Sequence, residues 1–428
     1  MRAWAWDTCW LKSRLLLQTE RNECIALIRF FLWVAIRMSP LSIPLPRDAV
    51  LPDYGDGGVF ALARGIRNWL NVRDVAPPFV PPGGSGVVVL LVIDGLGDML
   101  LHRFADRSSV LLAHRARRLT SVFPSTTASA VTSLLTGLSP AEHGLTGWHI
   151  HDRRFGGVLA PLPLHRRGGG SLHGAFLLQR LFPYASMHAR ALRPSVMVSP
   201  EDIAFSPFSL RHARGARIRP YHGLAQLAGA IEDEVGLLKA TGGLVHAYYA
   251  TFDGVCHRYG CHSDEARRRF VALDVFFADV LDRLAGSGAD IIVTADHGFI
   301  DAPDEKRIRL ERHPAFQSML ASPLFGERRT AFCNVRPGAE ADVATYAREH
   351  FAGKAVLLPS ERLLRAGLFG PGRMHRRLPE RVGTHALLLE AGWTISDRVA
   401  GEVPPTMIGV HGGLSPDEMW VPLIQARA

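Results

Sequence analysis

Lysine is almost missing from this chain of 428 residues: 4 of its 49 basic side chains are lysine and the rest are arginine. Arginine suits phosphate and carboxylate recognition, because its planar fork donates two parallel hydrogen bonds. The plainer source of such a bias is arginine-rich codon usage. No compact basic block interleaves with aromatics, so the net charge of +9 does not point to nucleic acid as a partner. Cysteine is also scarce. The five, Cys9, Cys24, Cys256, Cys261 and Cys333, are odd in number, scattered and never spaced C-x-x-C. That excludes a disulfide framework and a thiolate zinc site, and it fits a reducing, cytoplasmic setting. Long apolar runs are missing too. The longest, "CIALIRFFLWVAI" at 24–36, is broken by Arg29 and falls short of the roughly 20 residues a spanning helix needs. No small-residue cleavage site clearly follows it, so neither a stable membrane span nor a signal peptide is expected.

What is present is ordinary globular composition, 47% hydrophobic and 21% charged, enough for a large core. Met38 opens a Pro-rich stretch that reads like the start of an enzyme. Residues 1–37 are therefore expected to be an upstream extension that is not native, or a loose amphipathic segment, and 38–428 the catalytic domain.

Hydrophobic patterning gives the fold class. "VVVLLVIDG" (87–95) is a continuous β-branched run, the mark of a parallel strand buried on both faces. "LVHAYYATFD" (244–253), "DIIVTAD" (290–296), "TAFCNVRPG", "HALLLEAG", "TMIGVHG" and "EMWVPLIQ" also read as strands. Helical spacing covers 57–71, 224–235 and 264–286, and Ser125, Thr126 and Thr127 can cap a helix running to about Leu135. Alternating strands and helices predict an α/β fold, a mostly parallel central sheet with helices on both faces. Residues 145–243, rich in Arg, His and Gly, are expected to form an inserted cap that shapes a substrate pocket.

Acids and imidazoles stand where strands end: Asp94, Asp253, the adjacent Asp296 and His297, and His411. Functional groups in open α/β sheets gather at the carboxyl ends of strands, so four strands are expected to deliver metal-type ligands to one place. Asp253 and His257, four apart in "DGVCH", share a face if a helical turn begins there. Carboxylate oxygen and neutral imidazole nitrogen are both zinc ligands. Thr127 lies at a helix start, where backbone N–H groups can hold a phosphate and a nearby cation can activate its hydroxyl.

Five segments in order resemble the alkaline phosphatase superfamily, and within it the type I phosphodiesterase and nucleotide pyrophosphatase family. They are "VIDGLG" (92–97), "FPSTTASAVTSLLTGLSPAEHG" (123–144), "FDGVCH" (252–257), "TADHGF" (294–299) and "HGGLSPDEMWVPLI" (411–424). The resemblance implies two divalent ions of zinc type. One would be held by Asp94, Thr127, Asp296 and His297, the other by Asp253, His257 and His411. It implies Thr127 as nucleophile, third after the proline, with a covalent threonyl-phosphate on the path to hydrolysis of a small phosphodiester or pyrophosphate. Thr126 stands one residue early. His143 and His385 fall at motif positions that are not ligands in the family.

The chain departs from that family where substrate is chosen. Nucleotide pyrophosphatases carry an Asn after the "HG" motif, and this chain reads "HGLTGWHIHD" instead. Trp148 there is expected to pack in the core, with stacking on a base as the alternative. Phosphomonoester and phosphonoacetate-type phosphonate hydrolysis therefore stand beside the diester reading. A sulfatase is disfavoured, because the nucleophile segment lacks Cys or Ser followed by Pro-x-Arg. A phosphoglycerate mutase is disfavoured by its Ser nucleophile. A binding module of a defence system would be expected to have lost ligands, and all seven are here.

Overall fold

The computed structural model describes residues 43–80, 83–402 and 406–428. The extension expected at 1–37 lies outside the described residues, as do Cys9 and Cys24. Cys256, Cys261 and Cys333 are buried and unpaired. No described helix is long and apolar enough to cross a membrane.

A seven-stranded sheet organises the chain. Its strands are β1 (Val87–Ile93), β2 (Arg115–Thr120), β3 (Ser195–Pro200), β4 (Arg217–Tyr221), β5 (Gly243–Tyr249), β6 (Asp290–Thr294) and β7 (Trp420–Arg427), in the order β2-β7-β6-β1-β5-β3-β4. β1 is central and every one of its residues is buried, as its unbroken Val, Leu and Ile run requires. It pairs in parallel with β5 (Val87 opposite Gly243) and with β6 (Val88 opposite Asp290). β7 alone runs against its neighbours β6 and β2, so the sheet is mostly parallel as expected.

Helices pack around the sheet. They include α1 (Val59–Asn71), α2 (Thr127–Thr136), α3 (Gly223–Leu238), α4 (Thr251–Tyr259) and α5 (Asp264–Leu284). α5 buries Phe270, Leu273, Phe277, Val280 and Leu284, a stripe at helical spacing, and Ser263 caps it by accepting from the Ala266 N–H.

Two expectations change. Residues 145–243 are not one inserted cap. Ile150–Asp152, Gly157–Ala160, His165–Arg166 and Gly169–Ser171 make a small antiparallel sheet, but β3, β4 and α3 belong to the central sheet and its cover. The edge strand β4, "RIRPY", hid this because arginines face solvent and Pro220 stands where no inner neighbour needs its N–H. Second, Thr330–Cys333 and His385–Leu389 are strands, but of a separate antiparallel sheet with Phe325–Gly326 and Ala355–Pro359, over its own core.

Candidate metal centre

The register of the sheet brings the sequence-predicted residues to one edge. Asp94 follows β1 directly, and its N–H donates to the Tyr249 carbonyl at the end of β5 (2.9 Å). The chain then enters α4, whose first turn carries Asp253 and whose next carries His257, one helical turn apart on one face. Asp296 and His297 follow β6. His411 arrives differently: it follows Gly409–Val410, half of a two-stranded ribbon with Ile300–Asp301, not a strand of the central sheet. Three central strands rather than four therefore supply the ligand-type groups. α2 starts at Thr127, with Thr126 as its cap residue. The Thr126 hydroxyl does not cap the helix but donates to Glu327 (2.5 Å).

All seven side chains converge. His297 Nε2 lies 3.1 Å from Thr127 Oγ1 and 3.4 Å from both Asp94 Oδ1 and Asp296 Oδ2. His257 Nε2 lies 3.4 Å from Asp253 Oδ1 and 3.3 Å from His411 Nε2. The rings of His297 and His411 stack at 3.7 Å, joining the two groups. One donor atom each from Asp94, Asp253 and His297 falls within 4.8 Å, and the same is true of Asp253, His257 and His411. His143 and His385 stand apart; His143 Nε2 meets Ser133 (3.1 Å).

The hydrogen bonds show what these atoms await. His297 Nδ1 faces the Gly298 carbonyl (3.0 Å) and His257 Nδ1 the Gly409 carbonyl (2.8 Å). A carbonyl only accepts, so both Nδ1 atoms carry the proton and both Nε2 atoms present lone pairs. Tyr248 donates to Asp94 Oδ2. The N–H groups of Gly95 and His297 donate to Asp296 Oδ1 (3.1 and 3.0 Å). Gly95 can turn its N–H that way at φ +78°, and a Cβ there would run 2.4 Å from Phe299. Asp94 and Asp296 are thus each anchored by one oxygen. The others, Asp94 Oδ1 and Asp296 Oδ2, are buried without a hydrogen-bond donor, and so is Asp253 Oδ1.

Lone pairs facing lone pairs in a dry site repel unless a cation stands between them. The donor set, carboxylate oxygen and imidazole nitrogen, fits a divalent ion of zinc type, and the anchoring matches how ligands are oriented from behind. Burial, and then the Asp296 charge, raises the Asp94 and Asp253 carboxyls well above the ordinary range. Burial pushes His257 down to about 4, against the bond to Gly409, and holds His411 well below its usual value.

Sequence reasoning missed three neighbours. Tyr248 carries no motif signal beyond strand alternation. Glu327, pushed up to about 7 by burial, binds Thr126 and the Trp148 N–H (2.6 Å) from the second sheet. Arg328 follows it. Trp148, expected in the core, is 43% exposed at the rim of a cavity of about 760 Å³ that opens on the ligands. Glu327 holds its backbone there, so packing does not decide its place.

The family model for type I phosphodiesterase / nucleotide pyrophosphatase matches residues 88–162 and 186–414. No curated protein sequence matches the chain. Among solved structures, ectonucleotide pyrophosphatase / phosphodiesterase 5 from mouse is 16% identical, with a TM-score of 0.56, over 79% of this chain and 87% of that one. The human protein of that name is 17% identical, with a TM-score of 0.57 over the same shares. Phosphonoacetate hydrolase from Sinorhizobium meliloti, with phosphonoacetate bound, is 17% identical, with a TM-score of 0.58, over 80% and 90%. At these identities the structures speak for an alkaline-phosphatase-like fold, and the family match spans more than half of the sequence. The chain belongs to the type I phosphodiesterase / nucleotide pyrophosphatase family and is a hydrolase of phosphoric esters.

Proposed function

We propose that the chain hydrolyses a small phosphodiester or pyrophosphate at two divalent ions, with Thr127 as the nucleophile. The observation that carries this is the convergence of seven ligand-type side chains at the start of a helix, with one oxygen of each of the three acids left without a hydrogen-bond donor. Asp94, Asp296, His297 and Thr127 would hold one ion, and Asp253, His257 and His411 the other. Such ions, of zinc type, supply charge neutralisation for the phosphoryl group and lower the proton affinity of oxygens beside them.

The chain's own residues do the rest. Thr127 Oγ1 is aimed by its position at the start of α2, 3.1 Å from His297 Nε2, so that the hydroxyl oxygen and the imidazole lone pair would share one ion. At the start of α2 the Ser129 and Ala130 N–H groups donate to the Thr126 carbonyl (3.1 and 2.8 Å), which leaves those of Thr127 and Ala128 to donate to an incoming phosphoryl oxygen. The same helix end favours negative charge on Thr127 Oγ1. In-line attack forms the Thr127 Oγ1–P bond and breaks the bond to the leaving oxygen; water then cleaves the threonyl-phosphate or its ester. An inactive threonine-to-alanine variant of the mouse relative, in complex with AMP, is consistent with this role.

The pocket leaves the monoester and phosphonate readings open to one panel. Chromogenic phosphomonoesters, phosphodiesters, dinucleotide pyrophosphates and phosphonoacetate are offered to metal-loaded protein. Diester or pyrophosphate turnover that vanishes in Thr127→Ala is the expected result. Preference for phosphonoacetate, or unchanged turnover in the variant, overturns the proposal.

A further inference from the structure

Three consecutive charged residues, Glu327, Arg328 and Arg329, run past the cavity, and only the middle one has nothing to hold. Glu327 binds Thr126 and the Trp148 N–H. Arg329 grips Glu418 with two bonds, 3.0 and 2.7 Å. Arg328 has all three guanidinium nitrogens buried and none with a hydrogen-bond partner. Its backbone is fixed, since its carbonyl accepts from the Ile395 N–H (2.9 Å), and it lines the cavity beside the ligands.

The cavity's acids do not serve it. Asp397 and Glu402 are both taken by Arg167 (2.6 and 2.9 Å). Asp304 pairs with Arg307 and Arg309. Burial, and then the neighbouring charge of Arg307, lowers the Arg328 guanidinium to about 10. Arg328 lines the same cavity as Asp253, His257 and His411. Much of the rest of the cavity wall is apolar, with Val131, Leu135, Met197, Phe208 and Leu324. A buried guanidinium without an acceptor is unfavourable, and its planar fork matches a carboxylate or phosphoryl group.

We propose that Arg328 is the receptor for a second anionic group of the substrate, a carboxylate or phosphoryl group set apart from the hydrolysed phosphate by an apolar arm. This rests on the cavity being the substrate pocket of the proposed function. It makes Arg328 a specificity residue, not a holder of the phosphoryl group under attack.

Three p-nitrophenyl phosphodiesters test it, with an aliphatic arm ending in methyl, carboxylate or phosphate. Wild type is expected to prefer an anion-ended ester by roughly 10- to 100-fold in kcat/KM, the worth of a charged hydrogen-bonded pair. Arg328→Gln should abolish that preference and leave the methyl-ended ester within about twofold. Arg328→Lys should restore part of it. Calorimetry on Thr127→Ala, with and without Arg328→Gln, reads the same preference as binding. Preference in binding without turnover of any ester supports the receptor and sinks the hydrolytic reading instead. Equal binding of all three esters, or an equal loss for all three in Arg328→Gln, overturns the receptor.

Discussion

Two kinds of buried charge cluster stand out among the described residues, and they are built on opposite terms. In one, Arg329 and Glu418 are 1% and 0% exposed, and Glu418 also accepts from the Gly413 N–H and the Ser415 hydroxyl (both 2.7 Å). Arg381 and Asp152, both fully buried, likewise face each other at 3.2 Å, with Arg154 adding a second cation at 2.7 Å. In the other, Asp94, Asp253 and Asp296 are crowded with imidazole lone pairs, and three of their oxygens have no donor. A matched buried pair holds structure together. An unmatched set of one sign is a cost the fold carries for something it binds. The clusters also touch: Gly413, held by Glu418, accepts from Ser125 (2.7 Å), so the matched pair braces both the loop of His411 and the approach to Thr127.

Breaking the unmatched cluster at its reactive atom has the largest expected effect. Thr127→Ala should lower turnover by roughly four orders of magnitude or more, with metal content by elemental analysis unchanged. Near-normal turnover would remove Thr127 from the chemistry. Breaking a matched pair should act on stability instead. Arg329→Met strands Glu418 and is expected to cost about 3–5 kcal/mol in urea unfolding. A loss under 1 kcal/mol would mean that water reaches the pair.

The sharper contrast is in sign. Asp253→Asn removes a buried charge that has no partner. It should stabilise metal-free protein by roughly 1–2 kcal/mol and abolish the rise in Tm on adding a divalent ion. Destabilisation of the metal-free variant would mean that Asp253 is already satisfied.

The smallest effect is in pH, where the two clusters oppose each other. Asp94 and Asp253 are raised above their unfolded value, so their contribution in metal-free protein is fully present below about pH 4 and is lost as pH rises through their folded values. Bound metal reverses that loss, so the gap in Tm between loaded and metal-free protein should widen with pH. Burial would raise Asp152, but Arg154 and Arg381 outweigh it and hold the acid at about 2. Its contribution is present above about pH 4 and fades as pH falls toward 2. In Asp152→Asn the acid-side loss should shrink; an unchanged profile argues against the pairing.

Much of this was legible in the chain. The β-branched run at 87–93 and the helical stripe at 264–284 betray burial by residue type alone, and both elements form. Asp94, Asp253, His257, Asp296, His297, His411 and Thr127 could be singled out because acids, imidazoles and a hydroxyl at element ends have little packing reason to be there. The rest depended on distance. Nothing near Glu327 in sequence announces that Thr126 and Trp148, about 200 and 180 residues away, will meet it. Strand β4 looked like loop because an edge needs only one apolar face.

One feature of the sheet bears on how the molecule is made. β7, the last strand of the chain, lies between β6 and β2. β2 is synthesised some 300 residues earlier, and β7 is its sheet neighbour. Nothing translated beforehand can close that gap, and His411 emerges only just ahead of it. The central sheet can therefore close only after residues 420–427 are made, so the edge that gathers Asp94, Asp253, Asp296 and His297 is finished later than the residues it presents.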